Sequence, residues 1–141
     1  MCRRSPLSRE SWASRRRTST LQIAQWLSEQ PEIERLLHPA FPSCPGHEFW
    51  KRDFTGSASV FSIVFKPQIG TPAITRLVEA LQLFKLGYSW GGVTSLAMPR
   101  FGLNRKFRSY GDRLVRLNVG LEDPQDLMAD LATGFDVLRK L

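Results

Sequence analysis

A lone arginine inside an apolar run is the first feature of this chain that points to chemistry. Residues 113–119 read Arg-Leu-Val-Arg-Leu-Asn-Val, with Arg116 at the centre. A guanidinium withdrawn from water calls for an anion, and its planar fork of donors matches both oxygens of a carboxylate. Upstream, Gly87-Tyr88-Ser89-Trp90-Gly91-Gly92 presents a hydroxyl and two aromatic rings on glycine-flexible backbone. Together the two segments could hold a small carboxylate. On residue types alone, a surface strand arginine paired with Glu122 or Asp123 is the simpler account of Arg116.

Other reactive residue types carry less. Ser89 sits in Tyr-Ser-Trp-Gly-Gly, which lacks the Gly-x-Ser-x-Gly spacing of a hydrolase nucleophile, and only His38 and His47 are available as bases. Those histidines have Cys44 between them, and the spacing fits no common zinc site. Cys2 and Cys44 are too few for a disulfide scaffold, so a reducing, cytoplasmic setting is expected. Trp90, between a serine and two glycines, is a poor core residue and could instead anchor an interface. Arg113 reads as solvated, with a second cation beside Arg116 as the alternative.

These residues need elements to position them. Leu21, Ile23, Ala24, Trp26 and Leu27 fall at helical spacing and stop before Pro31, and residues 33–37 read as a short strand. The Pro-rich stretch 39–46 is a loop, 46–54 admits one short helix, and 58–65 alternates as a strand. Thr71-Pro72 and Asp123-Pro124 each offer a capping oxygen followed by proline at the first helical position. Leu77, Val78, Leu81 and Phe84 then form one apolar face, and Leu127, Leu131, Phe135 and Leu138 another. Residues 95–98 and 113–119 are the remaining strands. The expected fold is α+β, with helices packed on one face of a small, mostly antiparallel sheet.

Composition narrows the class. The chain has 141 residues, 42% of them hydrophobic and 23% charged, which is one domain of ordinary globular material. The net charge of +7 suggests nucleic acid until it is divided along the chain. Residues 1–20 carry six arginines against Glu10, a net of +5, which leaves only +2 for the other residues. That is a basic tail and not a basic domain. Residues 1–20 are Arg- and Ser-rich without hydrophobic period, and are expected to be disordered, with structure starting at Leu21. No apolar stretch follows the charges as a secretory signal would require. An organelle transit peptide and a translated remnant upstream of a late start both fit such a leader, the remnant more simply.

Four separated blocks carry a family resemblance. They are Pro42-Ser43-Cys44-Pro45-Gly46-His47, Trp50-Lys51-Arg52-Asp53-Phe54-Thr55-Gly56, the Gly87–Gly92 segment with Ser95-Leu96, and the run from Arg116 to Pro124. In this order, over about residues 21–141, they resemble the C-terminal domain of the cystathionine β-lyases, pyridoxal-phosphate enzymes of the Cys/Met metabolism (transsulfuration) family. The resemblance implies the small C-terminal domain of a fold-type I pyridoxal-phosphate transferase. By position, Arg116 corresponds to the arginine that grips the substrate α-carboxylate. Ser89 and Trp90 correspond to positions beside that carboxylate, and Tyr88 is a weaker candidate for the pocket wall.

The resemblance also implies what is missing. In the family a large domain holds the cofactor on a lysine that follows a Ser or Thr by three residues. None of Lys51, Lys66, Lys85, Lys106 or Lys140 has that neighbour. Elimination of a β-thioether from cystathionine, giving homocysteine, pyruvate and ammonia, needs an imine, a base for the Cα proton and a partner for the pyridine nitrogen. The chain is therefore expected to be the substrate-carboxylate portion of a lyase, inactive alone. Its partners would be an amino-acid thioether in the complete enzyme and either a second copy or a full-length family member. Two alternatives are a non-catalytic interaction domain and a nucleic-acid-binding fragment using the arginine tail. Two departures from the family pattern are the leader itself and the basic approach at residues 105–111.

Overall fold

A computed structural model describes residues 9–102, 106 and 109–140. The elements follow the order α1 (Arg9–Ser28), β1 (Ile33–Leu37), α2 (His47–Asp53), β2 (Val60–Phe65), α3 (Thr71–Ala80), β3 (Lys85–Leu86), β4 (Leu96–Arg100), β5 (Leu114–Asn118) and α4 (Pro124–Arg139). The five strands form one sheet in the order β1-β2-β5-β4-β3. Every neighbouring pair is antiparallel except β3 with β4. This is the expected α+β domain with a mostly antiparallel sheet.

Alternation along the strands decides which residues meet the helices. Phe61, Ile63 and Phe65 of β2, Ala97 of β4, and Val115 and Leu117 of β5 join one core with Ile23, Leu27, Ile74, Leu77, Leu127, Leu131 and Phe135 from α1, α3 and α4. The opposite face carries Ser62, Met98 and Arg116, aligned across three neighbouring strands and half-buried. Trp26, on the apolar face of α1, packs at the core margin with its ring edge-on to Phe135 at 6.0 Å between centroids.

Helices α3 and α4 approach so closely that Gly134 is required. A Cβ there would lie 2.9 Å from Leu81 Cδ2 and 3.1 Å from the Leu77 carbonyl oxygen. The turn after α3 is then fastened by a single carboxylate. Asp130, only 8% exposed on the inner side of α4, accepts from the backbone N–H groups of Gln82 (2.7 Å), Leu83 (2.9 Å) and Phe84 (3.0 Å). That contact leads the chain from α3 into β3, directly before the Gly87–Gly92 loop.

Three expectations need correction. Among the described residues, helix is already present from Arg9 and does not start at Leu21: the same helix extends through the Arg/Ser segment, whose residues tolerate helix although they give it no apolar stripe. The first eight residues of the leader, and Arg105, Phe107 and Arg108 of the basic approach, lie outside the described residues. The cap of α3 is Gly70 and not Thr71, which is already the first helical residue and gives no side-chain capping bond. Phe84 belongs to the turn beyond α3 although it is buried as expected. Asp123 does cap α4, accepting from Gln125 N–H at 2.8 Å with Pro124 behind it.

Candidate carboxylate-binding loop

β5 is the middle strand of the sheet, and its side chains on the face away from the helices reach the Gly87–Gly92 loop. Arg116 Nη2 donates to the carbonyl of Tyr88, with longer contacts to those of Gly87 (3.4 Å) and Ser89 (3.3 Å). All three contacts come from one terminal nitrogen. The rest of the guanidinium fork stays available to a further acceptor. Its carbon stands 6.0 Å from the centre of the Trp90 ring.

The acidic residues named as simpler partners are committed elsewhere. Glu122 accepts from Ser95 N–H and Ser95 Oγ–H, both at 2.8 Å, while Asp123 caps α4. Among the described residues Arg116 has no carboxylate partner. Among the described residues its positive charge is met by carbonyl dipoles and an aromatic face.

The far half of the loop is held from two other directions. Asn118 Oδ1 accepts from Gly91 N–H at 3.0 Å and from Ser59 Oγ–H at 3.1 Å. Arg16, reaching from α1, donates to the carbonyls of Gly91 and Gly92. Gly91 takes a φ of +74°, a conformation that strains any residue with a side chain. Where the loop returns to the sheet, Leu121 N–H donates to the Val93 carbonyl at 2.8 Å, and a Cβ on Gly120 would come within 2.1 Å of that same oxygen. Ser95 Oγ also accepts from Gly120 N–H at 2.9 Å.

This anchoring leaves Tyr88, Ser89 and Trp90 at the surface, the two rings 66% and 67% exposed. The four residues singled out from the sequence are thus brought into one place. Arg113 is not the second cation. It forms an ion pair with Glu34 on β1 and donates to the Phe65 carbonyl at 2.7 Å. The second guanidinium is Arg100 on β4, whose carbon lies 5.8 Å from the Tyr88 ring centre, with no carboxylate partner among the described residues. It sits diagonally from Arg116, because Met98 is opposite Arg116 and Arg100 is two residues further along the same face. Strand alternation from Met98 is the signal that could have found it.

Two neighbouring arginines of the basic leader, Arg16 and Arg17, take different partners in the described structure. Consecutive helical residues point about 100° apart; Arg16 is spent on loop carbonyls and Arg17 lies beside Gly56. No group of three or more metal-ligating side chains is assembled among the described residues, and no described helix is long and apolar enough to cross a membrane. His47 stacks on Trp50 at 5.6 Å, with Nδ1 2.7 Å from the Pro39 carbonyl oxygen.

The lysine nearest the loop in sequence, Lys85, has its ammonium turned to the Gln82 carbonyl on the exposed edge strand.

Comparison with known proteins identifies the setting of this loop. The sequence profile of the Cys/Met metabolism PLP-dependent enzymes matches residues 12–136. The chain is 43% identical over 123 residues to a cystathionine beta-lyase of Escherichia coli (strain K12), covering 83% of this chain and 31% of that protein. It is 40% identical over 125 residues to the cystathionine beta-lyase of Haemophilus influenzae, covering 84% and 31%. An L-alanine/L-glutamate racemase of Wolbachia pipientis wMel is 36% identical over 121 residues, covering 83% and 30%. The chain therefore spans about a third of the length of these relatives. With its sheet, its glycine-anchored loop and its unpaired arginine in place, the chain belongs to the Cys/Met metabolism family of pyridoxal-phosphate-dependent enzymes.

Proposed function

We propose that these residues form the C-terminal, substrate-carboxylate side of a pyridoxal-phosphate-dependent cystathionine β-lyase. Arg116 receives the α-carboxylate on the unused part of its fork, Ser89 and Trp90 flank it, and Tyr88 with Arg100 closes one side. The observation that carries this reading is the Arg116 guanidinium, half-buried, tied to the 87–89 carbonyls through a single nitrogen and without a carboxylate partner among the described residues. A fixed fork orients an amino acid so that its Cα–H is presented to a base. The similarity to a racemase as well as to lyases fits a segment that recognises what amino acids share and leaves the reaction type to other residues.

On this reading the cofactor, its lysine and the base are supplied by a large domain outside these residues, and the purified chain is inactive alone. Assay of thiol release from L-cystathionine, with added pyridoxal phosphate and no other subunit, should give none; turnover would overturn the inactivity. Carboxylate recognition is tested separately by titrating the ¹⁵N-labelled chain with L-cystathionine. Saturable shifts of the Trp90 indole N–H and Gly91 amide, weakened at least about tenfold by Arg116→Lys, are expected from losing a bidentate fork. An unmoved loop would overturn the assignment of Arg116.

A second reading is favoured by the exposed apolar side chains around the same loop. Leu86, Tyr88, Trp90 and Val93 are each more than half exposed. Such a cluster suits docking of this domain against a full-length family member or a separately encoded cofactor domain.

A further inference from the structure

The molecule has a cleft that the Arg116 loop does not use. It lies between the amino-terminal half of α1 and the segment that runs from the end of β1 through α2 to the start of β2. Its volume of about 900 Å³ falls within the range of roughly 300–1,000 Å³ that small-molecule sites occupy. The walls are largely aromatic. Phe49 and Phe54 are 56% and 63% exposed, and Trp50 is fixed between them by donating its indole N–H to the Gly56 carbonyl at 3.0 Å. Exposed aromatic rings held around a concavity favour a flat apolar occupant.

Three side chains lining this cleft can donate a hydrogen bond that no acceptor among the described residues takes. Arg17 projects from α1 beside Gly56, its guanidinium 3.2 Å from where a Cβ on that glycine would stand, and it has no carboxylate partner among the described residues. Ser57, the next residue, has a buried hydroxyl with no partner among the described residues. His38 is 1% exposed, and its Nδ1 accepts from Ala40 N–H at 3.2 Å. Burial pushes its pKa below the usual histidine value and keeps the ring neutral. The proton must then sit on Nε2, a buried donor with no acceptor among the described residues. An orphaned buried donor is costly, and a ligand oxygen in the cleft or an ordered water would meet it.

We propose that this cleft is a second ligand site, independent of the Arg116 loop, for a carboxylate carried on a flat apolar group. The ring lies between Phe49, Trp50 and Phe54, and the carboxylate oxygens accept from Arg17 and Ser57, with His38 as the deepest donor.

The test is titration of the ¹⁵N-labelled full chain with 3-phenylpropionate and with its neutral amide. The acid should shift the Trp50 indole N–H saturably and leave the Trp90 indole N–H in place. The amide should bind about tenfold more weakly, because a charge-assisted pair is replaced by a neutral one. Arg17→Gln should reduce the acid to the level of the amide, and Phe54→Ala should weaken both; each side chain is exposed enough to be changed without disturbing the core. Equal binding of acid and amide, or no effect of Arg17→Gln, would overturn the proposal. A shift at Trp90 in place of Trp50 would overturn it too, since the probe would then be reading the Arg116 loop.

Discussion

Arg116 and Asn118, two residues apart on β5, hold opposite halves of one loop: Arg116 takes the carbonyls of residues 87–89, and Asn118 takes the N–H of Gly91. The period of two in a strand puts both side chains on one face. The loop's shape therefore follows from the sheet register and needs little from its own sequence beyond glycine at the turn. Each anchor predicts a different failure.

Asn118 is 1% exposed and serves Gly91, Ser59 and, at 3.4 Å, the Thr94 carbonyl. Asn118→Ala takes the acceptor from the buried Ser59 hydroxyl and from the exposed Gly91 N–H and should cost about 1–2 kcal/mol in stability. Amide exchange at Gly91 should rise by a larger factor than exchange in β2. Chemical denaturation and hydrogen exchange on the same variant check both.

At Gly120 the constraint is steric. An added methyl meets the Val93 carbonyl at 2.1 Å and Glu122 Oε2 at 2.5 Å, and the first of these is backbone. Gly120→Ala should lower stability by about 2 kcal/mol or more, as overpacking does. It should also displace Glu122 from Ser95, visible as a shift of the Ser95 amide.

Asp130 closes the turn after α3 with three backbone donors. Asp130→Ala orphans them and should destabilise by about 3 kcal/mol, whereas Asp130→Asn keeps one acceptor oxygen and should cost less. Because that turn leads into the loop, the alanine variant should also broaden the Trp90 signal. Thermal melts of the two variants, compared with the parent, give the order.

The pH dependence has a defined sign. Burial holds the His38 pKa below the usual 6.5, so between that value and the folded pKa the unfolded chain binds more protons than the folded one. This contribution is complete above about pH 6.5 and is lost as pH falls below it. His38→Phe, placed between Phe41 and Phe61, should remove the slope in this window. A further loss below the usual Glu value of 4.5 belongs to Glu32, whose pKa is lowered chiefly by its hydrogen bonds from Arg139. Arg139→Ala should flatten that second slope and leave the first, as denaturation curves across pH 3.5–8 would show.

Much of the frame was legible because its signals are local. Residues 33–37 form β1 as read, Asp123-Pro124 opens α4, and every apolar residue picked for the face of α4 is buried. The parts that were not legible depend on partners distant in sequence. β3 has two residues and no room for a period, and the Arg113–Glu34 pair exists only because β1 and β5 flank β2. Asp130 occupied the apolar face of α4 beside Leu127 and Leu131, and a carboxylate in that stripe was the available clue. The roles of Tyr88, Ser89 and Trp90 came from resemblance, whereas the sheet supplied Arg100 and helix α1 supplied Arg16 as additional neighbours.

The strand order also sets when the domain can form. β5 lies between β2 and β4 although it follows both in the chain. Until residue 118 has been synthesised, β2 and β4 are each missing the neighbour that joins them, and β2 with β1 makes only a two-stranded ribbon, an arrangement marginally stable at best in water. The strand that carries Arg116 is thus the keystone of assembly. During translation the loop can acquire its shape only after the centre of the sheet has been filled.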